Sequence, residues 1–214
     1  MVKDSLSLRT TNRVIASEAK QSNTGNGLLR RDAPRNDASR CHWVTKDQIY
    51  IDYHDHEWGK RVTDDNILFE FLILESFQAG LNWLTILKRR KGFARAFARF
   101  NARKVSKFTE KDIKRLLEDE GIIRHRGKIE AAVNNAAKFL EIQKSHGSFA
   151  SYLEQYRPKR LRDAATLSAN LAKDLKQRGF KFMGATTCYA YMQAVGLITE
   201  HGPECKLAKR NTAA

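Results

Sequence analysis

Cys41 and His54, separated by twelve residues, and His201 and Cys205, separated by three, offer two thiols and two imidazoles to one metal ion. Such a set is complete for tetrahedral structural zinc, a site in which the protein fills every position. The long gap between the pairs means that the ion would tie the two ends of one domain together. C-x12-H is not a common finger spacing, so spacing alone leaves unrelated surface histidines and core cysteines equally open. A second constellation surrounds the first. Trp43, Tyr50, Tyr53 and Trp58 flank His54 in sequence, and Trp83 follows eight residues after Glu75. Glu75 interrupts the apolar run Phe71 to Phe77, where an acid either faces water or is buried for a purpose. Ring faces attract positive charge and a carboxylate pairs with it, which makes a receptor for a flat cation.

Two basic features suggest a partner. In Glu120-Gly121-Ile122-Ile123-Arg124-His125-Arg126-Gly127-Lys128 the glycines permit a tight turn between helices. The N–H groups of the second helix can hold a phosphate there, reinforced by Arg124, Arg126 and Lys128. The turn resembles a helix–hairpin–helix, a clamp for the DNA backbone, though it also suits an ordinary packing corner with a solvated basic surface. Lys88 to Lys107 contains nine Lys or Arg and no acid. Such a run is often only a solvated face, yet interleaved phenylalanines would anchor it and phosphate contact is a fair expectation.

The elements that position these residues read as helices. Asp64 and Asp65 are good caps for a helix with Ile67, Leu68, Phe71, Leu74 and Phe77 on one face. Gly80 stops it, and Asn82 caps the next, which presents Trp83, Leu84, Ile86 and Leu87, with Phe93, Phe97 and Phe100 continuing the spacing. Thr109 to Asp112 reads as a capping box before Ile113, Leu116 and Leu117, with a stop at Gly121. Further helices are expected from near Gly127, around Phe149 to Tyr156, through Leu171 and Leu175 to Gly179, and from about Ala185 to Val195. Strand alternation is scarce, so the fold class is all-α.

A chain of 214 residues is long enough for one well-filled core. Its net charge of +15 favours a polyanion. No apolar run approaches the roughly 20 residues that span a bilayer, and the first residues lack the apolar region of a signal peptide. No membrane partner is expected. The three cysteines form no disulfide framework and fit a reducing cytoplasm, with Cys188 a core thiol. Residues 1–40 are polar and without sustained period, the composition of a disordered extension. Part of them resembles the translation of a dispersed bacterial genomic repeat. Removing their net +4 from the total of +15 leaves +11 on the remainder, so the folded part is basic too. Residues 41–205 read as the domain and 206–214 as a basic tail.

Cys41-His42-Trp43-Val44 and Tyr50-Ile51-Asp52-Tyr53-His54-Asp55-His56-Glu57-Trp58-Gly59 resemble the start of the bacterial 3-methyladenine DNA glycosylase I family. Leu74-Glu75-Ser76-Phe77-Gln78-Ala79-Gly80-Leu81-Asn82-Trp83 and Gly121 to Ile129 continue the resemblance. Arg178 to Gly184 and Cys188 to Ala194 complete it, in order, over residues 41–205. It implies a helix–hairpin–helix glycosylase fold whose structural zinc, held by Cys41, His54, His201 and Cys205, fastens the termini. It implies that Glu75 hydrogen-bonds a flipped base, that Trp83 stacks on it, and that Tyr53 and Tyr50 line the pocket near Trp58 and Trp43. Gly121, Arg124, Arg126, Gly127 and Lys128 would clamp double-stranded DNA containing methylated purines, with the protein a monomer. His42 and His56 depart from the family pattern and add potential competing metal ligands.

Methylation at N3 makes adenine cationic, so the base can leave as a neutral group. Glycosylases of this superfamily that attack neutral bases carry an Asp well beyond the hairpin. Here no Asp lies between Asp119 and Asp163. An activated leaving group and a selective pocket around Glu75 would then carry the chemistry, without strand cleavage, and with 3-methylguanine as a further candidate. Two rivals remain: a zinc-stapled binding module without catalysis, and a zinc hydrolase using His54, His56 and Glu57 around an open coordination position.

Overall fold

The computed structural model describes residues 40–208; all of the expected extension but Arg40, and all but the first residues of the expected tail, lie outside them. Among the described residues there are helices and no strands. They are α1 (Gln48–His56), α2 (Asp65–Gln78), α3 (Trp83–Ala96), α4 (Ala102–Val105), α5 (Glu110–Glu118), α6 (Arg126–His146), α7 (Phe149–Glu154), α8 (Ala164–Gln177) and α9 (Ala185–Ala194). Single 3-10 turns lie at Ala98–Phe100 and Leu161–Asp163. The all-α expectation holds.

The starts are set by side chains that satisfy otherwise orphaned N–H groups. The Asp64 carboxylate accepts from the amides of Asn66 and Ile67 at 2.8 and 3.0 Å, and Asn82 Oδ1 accepts from Leu84 N at 2.7 Å. At α5 the Asp112 carboxylate takes the Thr109 backbone N–H at 2.9 Å. Gly80, at φ +79°, lets the chain leave α2 and turn towards Asn82.

Helix α2 is the hub, packed against α3, α6, α7 and α9. Leu68, Phe69 and every residue from Phe71 to Phe77 are buried, so its interior is enclosed on all sides rather than along one stripe. Ile67, expected on the inner face, is 40% exposed. Phe97 and Phe100 are buried as their spacing suggested. The helix itself does not reach them, because Ala98, Arg99 and Phe100 all adopt positive φ and reverse the chain after α3.

Candidate active site and metal centre

The segment before α1, helix α1 and the segment after α9 bring the four metal-binding candidates together, with their ligand atoms all within 4.8 Å of one another. Cys205 Sγ lies 3.5 Å from both His54 Nε2 and His201 Nδ1, and Cys41 Sγ lies 3.6 Å from His201 Nδ1. Zinc bonds of the usual length place tetrahedral ligands roughly 3.3–3.8 Å apart, so the donor set and its spacing fit such an ion. Burial pushes the Cys41 thiol up to about 11. A cation at the centre of the four would favour the thiolate instead. Burial likewise lowers both histidines and keeps their imidazoles in the neutral, ligating form.

Asp55, which sequence reasoning did not single out, completes this centre. Its Oδ1 lies 2.7 Å from His54 Nδ1, which orients the ring so that Nε2 faces the two thiols. Arg40 and Lys206 both pair with Asp55, and with His54 they hold its carboxyl well below the usual range. A carboxylate adjacent in sequence to a candidate ligand was the available signal. His42 and His56 are exposed and stand outside the four-residue group. Glu57 pairs with Arg90 at 2.7 Å, so the constellation of the rival zinc hydrolase does not form.

The aromatic residues link this centre to Glu75. Trp58 stacks on His54 at 6.1 Å and meets His201 edge-on at 4.8 Å. Trp43 touches Trp58 at 5.0 Å on one side and Tyr50 at 5.2 Å on the other. Tyr53 packs 5.4 Å from Trp83. Trp58 thus belongs to the wall shared with the metal-binding group, whereas Tyr50 and Tyr53 lie close enough to Glu75 to feel its charge and Trp83 packs on Tyr53.

Glu75 is buried, which decides between the two sequence readings of that residue. Its Oε2 and the indole N–H of Trp83 are buried polar atoms without a hydrogen-bond partner among the described residues. Orphans of this kind are rare in native proteins, and each calls for a physical reason. Desolvation pushes the Glu75 carboxyl up to about 8. Burial and the nearby Glu75 also raise the tyrosine hydroxyls of Tyr50 and Tyr53. Arg90 supports the cage from behind, bonded to Glu57 and Glu70 and lying 5.3 Å over the Phe71 ring, which packs on Tyr53.

The hairpin lies between α5 and α6. Asp119 Oδ1 accepts from Gly121 N at 2.7 Å, and His125 caps α6 by accepting from Lys128 N at 3.2 Å. Arg124 is exposed and has no ion pair among the described residues. Arg126 is also exposed, but it pairs with Glu110 at 3.0 Å and with Glu130 at 3.2 Å, which offsets its charge. Lys128 departs from the expected phosphate contact. It is 7% exposed, and its ammonium donates to the carbonyls of Phe77 at 2.8 Å and Ala79 at 2.6 Å. Lys128, Ala131 and Asn135 share one buried face of α6, a spacing that the sequence displayed. In the basic block, Arg90 serves Glu57 and Glu70 and Lys88 pairs with Asp47, while the rest of the run has no ion pair among the described residues.

Residues 43–209 match the profile of a family described as methyladenine glycosylase. The DNA-3-methyladenine glycosylase 1 of Escherichia coli (strain K12) is 43% identical over 177 residues, covering 78% of this chain and 95% of the relative. The DNA-3-methyladenine glycosylase of Haemophilus influenzae is also 43% identical, covering 78% of this chain and 96% of that protein. A solved 3-methyladenine DNA glycosylase I from Staphylococcus aureus, described for its recognition of 3-methyladenine, superposes with a TM-score of 0.73 at 40% identity. That match covers 79% of this chain and 96% of the other.

Proposed function

The chain belongs to the methyladenine glycosylase family, and from that premise we propose how its site works as a repair enzyme that excises 3-methyladenine from DNA. The carrying observation is Glu75, a buried carboxyl with an unpartnered oxygen close to Tyr50 and Tyr53. A base reaches such a pocket only when its nucleotide turns out of the duplex, at a cost of a few kcal/mol. A cation entering the cage offsets the desolvation that holds Glu75 protonated, so the carboxylate forms where the positive base sits. Stacking against Trp83 and Tyr53 orients the ring. Water then adds at the sugar carbon and gives up a proton to solvent as the neutral base departs, leaving an abasic site.

The acids of α6 support a mechanism without a separate catalytic carboxylate. Glu130 pairs with Arg126 and Glu141 with Lys138 on the exposed side, and Asp163 pairs with Arg160. The buried Lys128 is bonded to backbone carbonyls, which supports base removal without strand cleavage. The amino end of α6, with Arg124, is the proposed backbone clamp of a helix–hairpin–helix. Cys41, His54, His201 and Cys205 would hold a structural zinc, which supplies a cross-link between the ends of the domain and no step of the reaction. We place a monomer in the cytoplasm, where reduced cysteines and DNA coexist.

The direct test is excision from alkylated duplex DNA with chromatographic identification of the released bases. Release of 3-methyladenine without 7-methylguanine, and intact strands until abasic sites are cleaved chemically, is the expected result. Free 3-methylguanine in the same experiment decides whether the pocket accepts that base. Duplex binding without any base release would favour the binding module instead.

A further inference from the structure

Phe182 holds a backbone conformation that an aromatic residue adopts only under constraint. Its φ is +58°, and the other non-glycine residues with positive φ among those described, Ala98 to Phe100, form one turn elsewhere. Cβ clashes make the left-handed region costly for a bulky residue, whereas glycine enters it freely. Burial does not offset that cost, because the ring is 41% exposed while its neighbours Phe180 and Met183 are buried.

The surrounding loop is locked rather than loose. Asn135, fully buried on α6, donates through Nδ2 to Lys181 O and accepts through Oδ1 from Lys181 N, both at 2.8 Å. Asn134 donates to Gly179 O at 2.8 Å. These bonds fix the backbone that leads into Phe182 to the helix that begins at the hairpin. The ring therefore stands beside His125 at 6.3 Å, and its Cζ lies 3.9 Å from where a Cβ on Gly127 would be. Exposed Lys181 and Arg124 give the same neighbourhood a positive charge.

Strain kept at an exposed ring, next to a positively charged helix start, is a pattern expected where the ring meets a ligand. We propose that Phe182 is a DNA-contacting residue whose ring packs against a sugar or base of the strand held at the amino end of α6. The inference rests on the proposed role of the hairpin as a backbone clamp. Stacking against an aromatic side chain is tolerant of sequence, which suits an enzyme that must scan undamaged DNA.

The test measures binding of a short undamaged fluorescent duplex over a range of salt, beside thermal melting, for the parent, Phe182→Gly and Arg124→Ala. Phe182→Gly should weaken binding by roughly tenfold. It should keep or raise the melting midpoint, because glycine suits the positive φ, and leave the salt slope unchanged, because no cation is lost. Arg124→Ala should lower the salt slope by about one. Phe182→Tyr, which keeps the ring, should bind like the parent. Parent-like affinity of Phe182→Gly beside a weakened Arg124→Ala would overturn the inference and leave the clamp standing. A fallen melting midpoint or failure to fold in Phe182→Gly, or weak binding by Phe182→Tyr, would overturn it too, since the residue would then be structural. Parent-like behaviour of Arg124→Ala would sink the clamp reading, and this inference with it.

Discussion

Glu75 is the residue at which stability and recognition oppose each other. Its folded value of about 8 lies above the roughly 4.3 of an unfolded glutamate, so across that interval the folded state holds the extra proton. Stability from this group is complete below the unfolded value and is lost as pH rises towards the folded one. Glu75→Gln removes the titration and should therefore melt progressively higher than the parent between about pH 5 and pH 8. A difference that does not change with pH would show that Glu75 titrates as an exposed acid. The same variant loses the charge that answers a cationic base, a change of about 1.5–3 kcal/mol, or roughly ten- to a hundredfold in excision. Binding to undamaged duplex should stay near the parent's, because phosphates are met elsewhere. Excision at the parent rate would separate Glu75 from recognition altogether.

At the scale of elements, the pocket depends on how α2, α3 and the hairpin are held. The last carbonyls of α2 have no intrahelical donors, and Lys128 reaches across from α6 to bond Phe77 O and Ala79 O. These carbonyls lie just beyond Glu75 and just before the turn that leads to Trp83. The backbone of Gly92 in α3 meets Gly121 of the hairpin so closely that a Cβ on Gly92 would overlap its carbonyl oxygen. Both contacts hold the proposed clamp at a set place relative to the base pocket. Lys128→Met keeps the apolar stem but leaves the buried Phe77 carbonyl unbonded, and should cost about 1–3 kcal/mol in denaturant unfolding. Duplex affinity should remain within about twofold of the parent, because the ammonium faces inward and neutralises no phosphate. A large loss of affinity with a lower salt slope would return Lys128 to the DNA interface.

Across the whole molecule, the metal-binding group joins α1 to the segment after α9, and its histidines are also walls of the aromatic network. A bound ion would close the chain into one large loop and restrain the cage from one side. Elemental analysis should find about one zinc per chain, and stripping the ion should lower the thermal midpoint by on the order of 10 °C, reversed by adding zinc back. Unchanged melting of metal-free protein would reduce the four residues to a packing cluster.

The sequence by itself determined the helical class, several helix starts and the types of residue in the site. Caps such as Asp64 and Asn82 act on amides two or three positions away, and turns such as Gly80 depend on one φ angle, so local order carries that information. Residue types and spacing singled out Glu75, Trp83 and the four metal candidates, and the resemblance assigned their roles. Only tertiary structure decided where Glu75 points, because α2 is enclosed by four helices and periodicity has no outward face to report. It also turned Lys128 inward, paired Arg126 with two carboxylates and set Asp55 behind His54. A lysine in the first turn of a helix can reach water or a neighbouring helix with equal ease along its flexible stem. Which one it reaches depends on residues some fifty positions away, brought near only by the fold.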